Sequence, residues 1–510
     1  MIQRALILPR TPVVVLLTAC LVVCVPLGLA VAIEPAMGFL IGGLLLALGV
    51  VWARGVFLHF IVLLAFAELI LGGSGRYIEL SDLLSFRKAL FLFTWLLFVV
   101  LWIYDRRKPA FPLRSFRGSY YASLLAIFTF LFFGLGIGIL RGNQLDFVFG
   151  DAQGFLFLTL SIPLCYFAWR AKIDVEFFLG AYLAATSIYA LLKVLLHLGV
   201  QSGYFGVAFM ADMLQQSTGQ VVAIDLIGSQ YRVASVGDVF LMFAFPILVG
   251  IASSAQRLRT KLAASAGTLF VLFALVVSGF RGLWLGAFLG LVVLVALAGS
   301  KHRLKIAAGI LAGLLLASQI FAGTFRNVTS RIASTFEVFE GGEAFRVHQT
   351  KVLLRMAREH PVLGHGFGAI APEVSGRTVR RESPYAFEVQ TVALLMKMGI
   401  VGCLAWVVLF GWLLYTLLRT SWLLTNQLHA MVAKALCGGI LAILFAAWTD
   451  PWLSSAVGMG TCAFIVVVAD LLRRGIAPAP EVVKAAPRPA QSRIDSLART
   501  SPTKMAPANR

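Results

Sequence analysis

Long apolar runs recur along this chain, and they constrain its fold more than any other feature of the sequence. Hydrophobic residues make up 60% of the chain and charged residues only 13%, against about 25% charged in a typical soluble domain. Many of the runs reach about 18 residues, which lets a helix cross the roughly 30 Å hydrocarbon core of a bilayer. The sequence therefore predicts an all-α, polytopic integral membrane protein.

The apolar pattern predicts about fourteen membrane-spanning helices. The predicted spans are residues 13–32, 36–53, 56–72, 88–104, 119–140, 153–169, 177–199, 236–254, 262–279, 282–299, 304–323, 386–417, 430–447 and 452–472. Residues 1–474 then form one membrane domain. The remaining segment, 475–510, is rich in Ala, Pro, Arg and Ser, and we expect it to be a disordered cytoplasmic tail.

Basic residues predict how these helices are oriented. Arginines and lysines concentrate in alternate connections, such as 106–117 and 301–305, which is typical of loops on the cytoplasmic side. Both termini are then cytoplasmic, and Asp146 and Asp151 are expected in a connection on the opposite side. The formal net charge of +20 is explained by this distribution and by anionic membrane lipids, so nucleic acid is not an expected partner.

Residues 324–387 form a large late loop that is too polar for lipid and is predicted on the side opposite the termini. Within it, Glu343–Glu359 has the composition of a helix with one apolar face and several basic residues, which is typical of a helix at a membrane interface. Pro361 ends this helix, and the sequence Gly364-His-Gly-Phe-Gly368 follows. Alternate glycines permit positive φ and a close approach of the backbone to a ligand, but they equally form a tight turn.

Two arginines stand near span ends on the same side as this loop. Arg281 lies between two apolar runs and Arg232 precedes another, in positions that the bias of basic residues toward cytoplasmic loops does not explain. Guanidinium groups bind phosphate oxygens in pairs and stay charged, so two of them suit a diphosphate. The structural alternatives are that Arg281 merely ends a helix and that Arg232 pairs with Asp238 or a lipid headgroup.

Two residues of the loop are candidate proton acceptors. Glu388 begins an apolar run at the expected membrane edge, and His365 lies among the glycines, although a hydrogen-bonded loop histidine would look the same. The sequence lacks the metalloprotease, serine-hydrolase and Walker motifs. It also lacks a carboxylate cluster suited to a divalent metal on this side. We therefore expect neither a metal nor a cofactor.

The order of these elements resembles the O-antigen ligase/polymerase superfamily of bacterial envelope glycosyltransferases. The resemblance covers about residues 230–450. Its elements are Arg232 before a span, Ser278-Gly-Phe-Arg-Gly282 at a later span end, Arg346 in the loop helix, His360-Pro-Val-Leu-Gly-His-Gly-Phe-Gly368, and Lys397-Met-Gly-Ile-Val-Gly402 in the next span.

The resemblance implies a fold similar to the C-type glycosyltransferases, with a large periplasmic loop in a protein of the bacterial inner membrane. It implies metal-independent transfer of an undecaprenyl-diphosphate-linked glycan to a glycan or lipid acceptor, with a chain-length regulator as a further partner. Arginines resembling Arg232 and Arg281 would neutralise the diphosphate. The candidate catalytic residues are Arg232, Arg281, Glu388 and His365. The candidate substrate-binding residues are Arg346, Arg380, Arg381, Gly364, Gly366, Gly368 and Tyr385.

One departure bears on the reaction. Ligases of this superfamily typically carry a His-Asn pair before the span that follows the loop, whereas this chain has Glu382-Ser-Pro-Tyr-Ala-Phe-Glu388. The sequence therefore favours a polymerase of lipid-linked repeat units over an O-antigen ligase. A transporter of such lipids is a third hypothesis. It requires charged residues along a path through the membrane, and the predicted span centres are almost free of them, with Glu68 and Lys193 the main candidates.

Overall fold

The computed structural model describes most of the predicted membrane domain. It covers residues 56–71, 79–81, 84–106, 131–204, 206, 223–227, 230–234, 237–320, 342–375, 384–448 and 451–476. Within these ranges the protein is almost entirely helical, and its β-structure consists of two short antiparallel hairpins. The all-α prediction is thus confirmed. The first two predicted spans, and the predicted tail beyond its first residues, lie outside the described part of the chain.

The described elements follow one another in a simple order. The helices are α1 (Val56–Leu71), α2 (Phe86–Arg106), α3 (Leu131–Leu140), α4 (Leu145–Leu156), α5 (Ser161–Arg170), α6 (Val175–Gln201), α7 (Asp238–Ser254), α8 (Leu258–Ser278), α9 (Arg281–Leu297), α10 (Ser300–Ile320), α11 (Gly342–Glu359), α12 (Pro372–Ser375), α13 (Gln390–Leu423), α14 (Gln427–Ala446) and α15 (Ala456–Arg474). The strands are β1 (Glu79–Ser81), β2 (Leu84–Ser85), β3 (Ala223–Ile227) and β4 (Gln230–Ala234).

Many of these helices suit a bilayer. In the described part of the chain, 7 helical segments are long and apolar enough to cross a membrane, and α1, α3, α7 and α9 are shorter apolar helices. The chain is therefore a multi-pass membrane protein. The division at Arg281 has a local cause, because Gly279 adopts a left-handed conformation (φ 66°) that ends α8, and α9 begins at Arg281.

The start of one predicted span, 153–169, was wrong. A single helical segment runs from Leu145 to Arg170, as α4, a short 3₁₀ turn and α5. Asp151 therefore lies within a helix, and its side chain is buried rather than exposed in a connection. Hydropathy missed the first turns because they include Asp151, whose carboxylate is paired with Lys397, a contact that the local sequence does not reveal.

The centre of the bundle is formed by α7, α14 and α15, most of whose residues are buried. Helix α9 packs closely on α14, since a Cβ atom at Gly438 would lie 2.3 Å from the carbonyl oxygen of Gly290. Small residues that let two backbones approach are a common basis of helix packing in membranes.

Several helix ends meet at one end of the bundle, which we call the site end. Phe280, just before α9, contacts the ring of Trp452 at a centroid distance of 5.4 Å. The backbone N–H of Leu453, just before α15, donates to the side-chain oxygen of Gln390 at the start of α13 (2.8 Å). Lys193 near the end of α6 forms an ion pair with Asp238 at the start of α7. Helices α6, α7, α9, α13 and α15 therefore all contribute to this end.

Buried ion pairs connect several helices, which corrects the expectation that the spans are almost free of charge. One such pair joins Arg87 to Glu68 at 2.9 Å, with both side chains less than 10% exposed (5% and 8%). Lys193 and Lys397 also lie within helices, and each is paired with a buried aspartate. Since an unpaired charge is costly in this setting, each partner depends on the other.

Removing one partner of the Glu68–Arg87 pair should destabilise the protein strongly. Glu68→Gln would leave the Arg87 guanidinium buried without its counter-charge, which costs about 3–5 kcal/mol in the free energy of unfolding. Glu373→Gln is the matched control, because Glu373 pairs with Arg355 on the surface and such pairs contribute at most about 1 kcal/mol. Denaturant titration in detergent compares the two, and equal losses of stability would contradict the prediction.

Candidate functional site

The three loop glycines all adopt positive φ, a conformation that glycine permits. Their φ values are 70° at Gly364, 81° at Gly366 and 75° at Gly368. Each approaches other backbone of this chain: a Cβ atom would lie 2.4 Å from Lys397 at Gly364, 2.2 Å from Gly138 at Gly366 and 2.6 Å from Val148 at Gly368. The close approach that the glycines permit is therefore made to α13, α3 and α4.

Hydrogen bonds fix this docked segment, which we call the glycine loop (residues 364–368). The N–H of His365 donates to the carbonyl of Met396 (2.9 Å), and that of Phe367 donates to the carbonyl of Gly134 (2.9 Å). Asn143 donates in turn from its side-chain amide to the carbonyls of His365 (2.9 Å) and Phe367 (2.8 Å). The loop is thus held to the helices on both sides.

A buried ion pair contacts the glycine loop at Gly368. Lys397 lies about two turns after the start of α13. Its ammonium is 2.5 Å from the carboxylate of Asp151 in α4, and both side chains are buried. The same carboxylate accepts the N–H of Gly368 at 3.0 Å. Lys397 also donates to the carbonyl of Tyr385 at 2.8 Å, in the segment that returns from the loop to α13. One ion pair thereby connects four parts of the chain.

The returning segment presents Glu388 to the loop helix. Its carboxylate accepts a hydrogen bond from Arg346 of α11 at 2.9 Å, and both side chains are partly exposed. Tyr385 packs its hydroxyl against Gly150 of α4, where a Cβ atom would lie 2.3 Å away. The structure thus brings together two predicted residues, Arg346 and Glu388. The side chain of Tyr385 packs against α4 of the same chain.

Helix α11 confirms the helix predicted within the loop. It buries Val352, Leu353 and Ala357 in an apolar cluster with Val392 and Met396 of α13. This packing sets the position of Arg346 at the opposite end of the helix from the glycine loop. Basic side chains occupy its exposed face.

His365 is held by hydrogen bonding. Its Nε2 lies 2.8 Å from the carbonyl oxygen of Met356, and since a carbonyl can only accept, Nε2 carries the proton. The carboxylate of Glu359 is 3.7 Å from the same atom. This agrees with the alternative interpretation of a hydrogen-bonded loop histidine.

The arginines are placed on separate elements. Arg281 is the first residue of α9 and is half-buried at the site end, next to Phe280 and its contact with Trp452. Arg232 lies in β4, opposite Asp225 of β3 in the hairpin register. Asp238, the expected structural partner of Arg232, is buried and bonded to Lys193 and to the hydroxyl of Tyr189 (2.8 Å). The predicted residues Arg380 and Arg381 lie outside the described part of the chain.

Sequence reasoning missed Asp151 and Lys397 as site residues. The available signal was Lys397 itself, since a lysine in an apolar run requires a partner. The partner was hidden because Asp151 had been assigned to a connection. Among the described residues, no three His, Cys, Asp or Glu side chains are grouped so as to hold a metal ion.

Most residues of this site lie in a segment that matches a known protein family. The family model described as O-antigen ligase matches residues 266–407. This segment is similar to the O-antigen ligase family. It contains Arg281, Arg346, His365 and Glu388, and it confirms the resemblance to the O-antigen ligase/polymerase superfamily. Arg232 and Asp151 lie outside it.

A curated relative gives a second, shorter match. The chain is 29% identical over 110 residues to an O-antigen polymerase of Shigella flexneri. The aligned part is 21% of this chain and 26% of that relative. The similarity therefore extends over about a quarter of the relative's length.

Docking of the glycine loop should depend on Gly366. Gly366→Ala would place a Cβ atom against the backbone of Gly138 in a left-handed conformation, and such strain and overpacking together cost a few kcal/mol. We expect backbone amide exchange in residues 364–368 to accelerate about tenfold or more. Gly136→Ala is the control, because a Cβ atom there meets no atom within 4 Å. Unchanged exchange in Gly366→Ala would refute the docking role.

The contact between His360 and Arg141 should be pH-dependent. Partial desolvation, followed by the nearby Arg141 guanidinium, lowers the pKa of His360 below its ordinary value of 6.5. Neutral His360 accepts a hydrogen bond from Arg141 at 3.0 Å, which protonation would abolish. Because the unfolded chain binds the proton more readily, the stabilisation is present above pH 6.5 and is lost as the pH falls below it.

Histidine NMR titration in detergent checks this prediction. Arg141→Gln should raise the titration midpoint of His360. Arg259→Gln, an exposed arginine at the other end of the bundle, should leave the midpoint unchanged. A His360 midpoint that is the same in the wild type and in Arg141→Gln would exclude the guanidinium as a cause.

Proposed function

We propose that the protein is a polymerase of undecaprenyl-diphosphate-linked polysaccharide repeat units, acting at the periplasmic face of the bacterial inner membrane with both termini in the cytoplasm. The similarity of residues 266–407 to the O-antigen ligase family and the shorter similarity to an O-antigen polymerase support this proposal. The observation that carries it is the Arg346–Glu388 pair, in which Glu388 lies just before α13, one of the helices that begin at the site end.

The arginines provide charge for a leaving diphosphate. Arg281 begins α9, so its guanidinium and the N–H groups of the first helical turn, at the positive end of the helix dipole, offer positive charge at the same end of the helix. Arg232 on β4 is proposed as the second group. Because guanidinium groups stay charged at any working pH, the two can neutralise a diphosphate without a metal or other cofactor.

The proposed reaction transfers a glycan in one displacement. A hydroxyl of the acceptor glycan attacks the anomeric carbon of the donor, the new C–O bond forms, and the bond from that carbon to the diphosphate oxygen breaks. The hydroxyl proton passes to the Glu388 carboxylate, which Arg346 orients. Undecaprenyl diphosphate leaves with the bonding electrons, and the arginines stabilise its charge.

The loop is proposed to bring the acceptor to this place. Arg380 and Arg381 lie in the segment that leads to Glu388, and they remain proposed substrate contacts, whereas Tyr385 contacts Gly150 and Lys397 of the chain itself. The glycine loop contacts α3, α4 and α13, so it holds this part of the chain to the helices. A chain-length regulator is a further proposed partner.

Two other functions are weaker. Transfer to a lipid A-core acceptor, as in O-antigen ligases, is supported by the family description, but the segment before α13 lacks the His-Asn pair typical of ligases. Transport requires charged groups along a path, and among the described residues every buried Asp, Lys and Arg side chain is ion-paired. These pairs are Arg87–Glu68, Arg170–Asp105, Lys397–Asp151, Lys193–Asp238 and Arg474–Asp470.

Arginine variants test the proposal in a deletion strain of the source bacterium. Arg281→Gln and Arg232→Gln should each reduce long-chain polysaccharide about 100-fold or more, because charge stabilisation of the leaving group is lost. Arg259→Gln, exposed at the other end of the bundle, should support normal polymer. Immunoblots of membranes confirm equal insertion. Normal polymer in both site variants would overturn the proposed reaction.

The lipids that accumulate in the deletion strain separate polymerase from ligase. Single lipid-linked repeat units are expected if the protein is a polymerase. Long lipid-linked polymers would instead show that polymerisation proceeds and that transfer to the final acceptor fails.

A further inference from the structure

Glu388 lies in an irregular segment, residues 384–389, that has no helix or sheet to fix it. Its position therefore depends on contacts made from neighbouring elements. The N–H of Val389 donates to the side-chain oxygen of the buried Gln349 of α11 at 3.0 Å. On the other side of Glu388, the carbonyl of Tyr385 accepts a hydrogen bond from Lys397 at 2.8 Å.

Lys397 of α13 contacts this segment directly. It lies about two turns after the start of α13, roughly 10 Å along the axis, and its side chain extends back to Tyr385. The ammonium lies 5.8 Å from the ring centroid of Tyr385 and 5.4 Å from that of Phe387, within the range of cation–π attraction. With Asp151 and the Tyr385 carbonyl, these rings surround the charge.

Asp151 gives Lys397 a fixed position. Its carboxylate is 2.5 Å from the ammonium and also accepts the N–H of Gly368. The two side chains are 4% and 8% exposed, so neither is open to a substrate. The ammonium has three N–H donors, and because one of them bonds to the Tyr385 carbonyl, the pair also fixes the backbone three residues before Glu388.

We propose that Lys397 and Asp151 are positioning residues for the glycosyl transfer, which set the Glu388 carboxylate against Arg346 without touching substrate. This inference rests on the proposed function. It predicts a defect in the chemical step rather than in substrate binding, because a misplacement of about 1 Å in a reacting group costs on the order of 100-fold in rate.

The test must separate positioning from stability. Lys397→Met alone leaves Asp151 buried and unpaired, so loss of activity could reflect misfolding. The double variant Lys397→Met/Asp151→Asn removes both charges and should regain thermal stability, but it cannot restore the donor to the Tyr385 carbonyl. Lys397→Arg retains a charged donor and should recover part of the activity. The control is Glu68→Gln/Arg87→Gln, which neutralises another buried pair.

The assay uses the full chain in proteoliposomes, with undecaprenyl-diphosphate-linked repeat units extracted from the deletion strain as the probe. For the double variant we expect kcat to fall about 100-fold, with KM for the lipid donor within about threefold of wild type. Amide exchange in residues 385–390 should accelerate. The control pair should change neither kcat nor this exchange.

Each other result is informative. If kcat returns together with stability in the double variant, the pair is structural and the inference is overturned. An increase in KM at unchanged kcat would also overturn it, since Lys397 would then contact substrate. If the wild type converts no lipid-linked units, the proposed function fails, whereas unchanged exchange in residues 385–390 of the double variant would refute the positioning role by itself.

Discussion

The ion pair between Lys397 and Asp151 is the interaction on which the rest of the site depends. A charged side chain is tolerated within a membrane helix only when it is paired, so each residue requires the other. Because the partners lie on α13 and α4, their pairing fixes the relative position of two helices. Through Gly368 it also fixes the glycine loop, and through Tyr385 it fixes the segment that returns from the loop to α13. Charge neutrality in the membrane and geometry at the site are thus satisfied by the same contact.

Much of the scaffold could be predicted from local sequence. Apolar runs predicted both ends of α6 and α9 to within about two residues and those of α8 to within about four, since a helix in lipid must satisfy its backbone internally and present apolar side chains. Helix α11 was predicted from its composition, and Pro361 correctly marked its end. The positive φ of Gly364 and Gly366 followed from residue type. In each case the cause lies within a few positions of the residue concerned.

The remainder depended on contacts that no local pattern encodes. Lys397 is 246 positions from Asp151, and the pairing could not be inferred while Asp151 was assigned to a connection. The glycines gave no indication that their neighbours would be backbone atoms of α3, α4 and α13. Arg346 and Glu388 were both chosen as candidates, but their pairing requires the fold of α11 against α13. Local sequence predicted the participants, and tertiary packing determined their roles.

The three supports of the glycine loop have a consequence for how the protein is made. Gly366 rests on α3 and Gly368 on α4, which precede the loop in the chain, but Gly364 rests on α13, which follows it. During synthesis the loop therefore emerges before its last support exists. It reaches its docked position only after α13 has entered the bilayer, so a partly synthesised chain cannot assemble the site. Docking of these glycines therefore requires insertion of α13, but not of α14 and α15, which follow it in the chain.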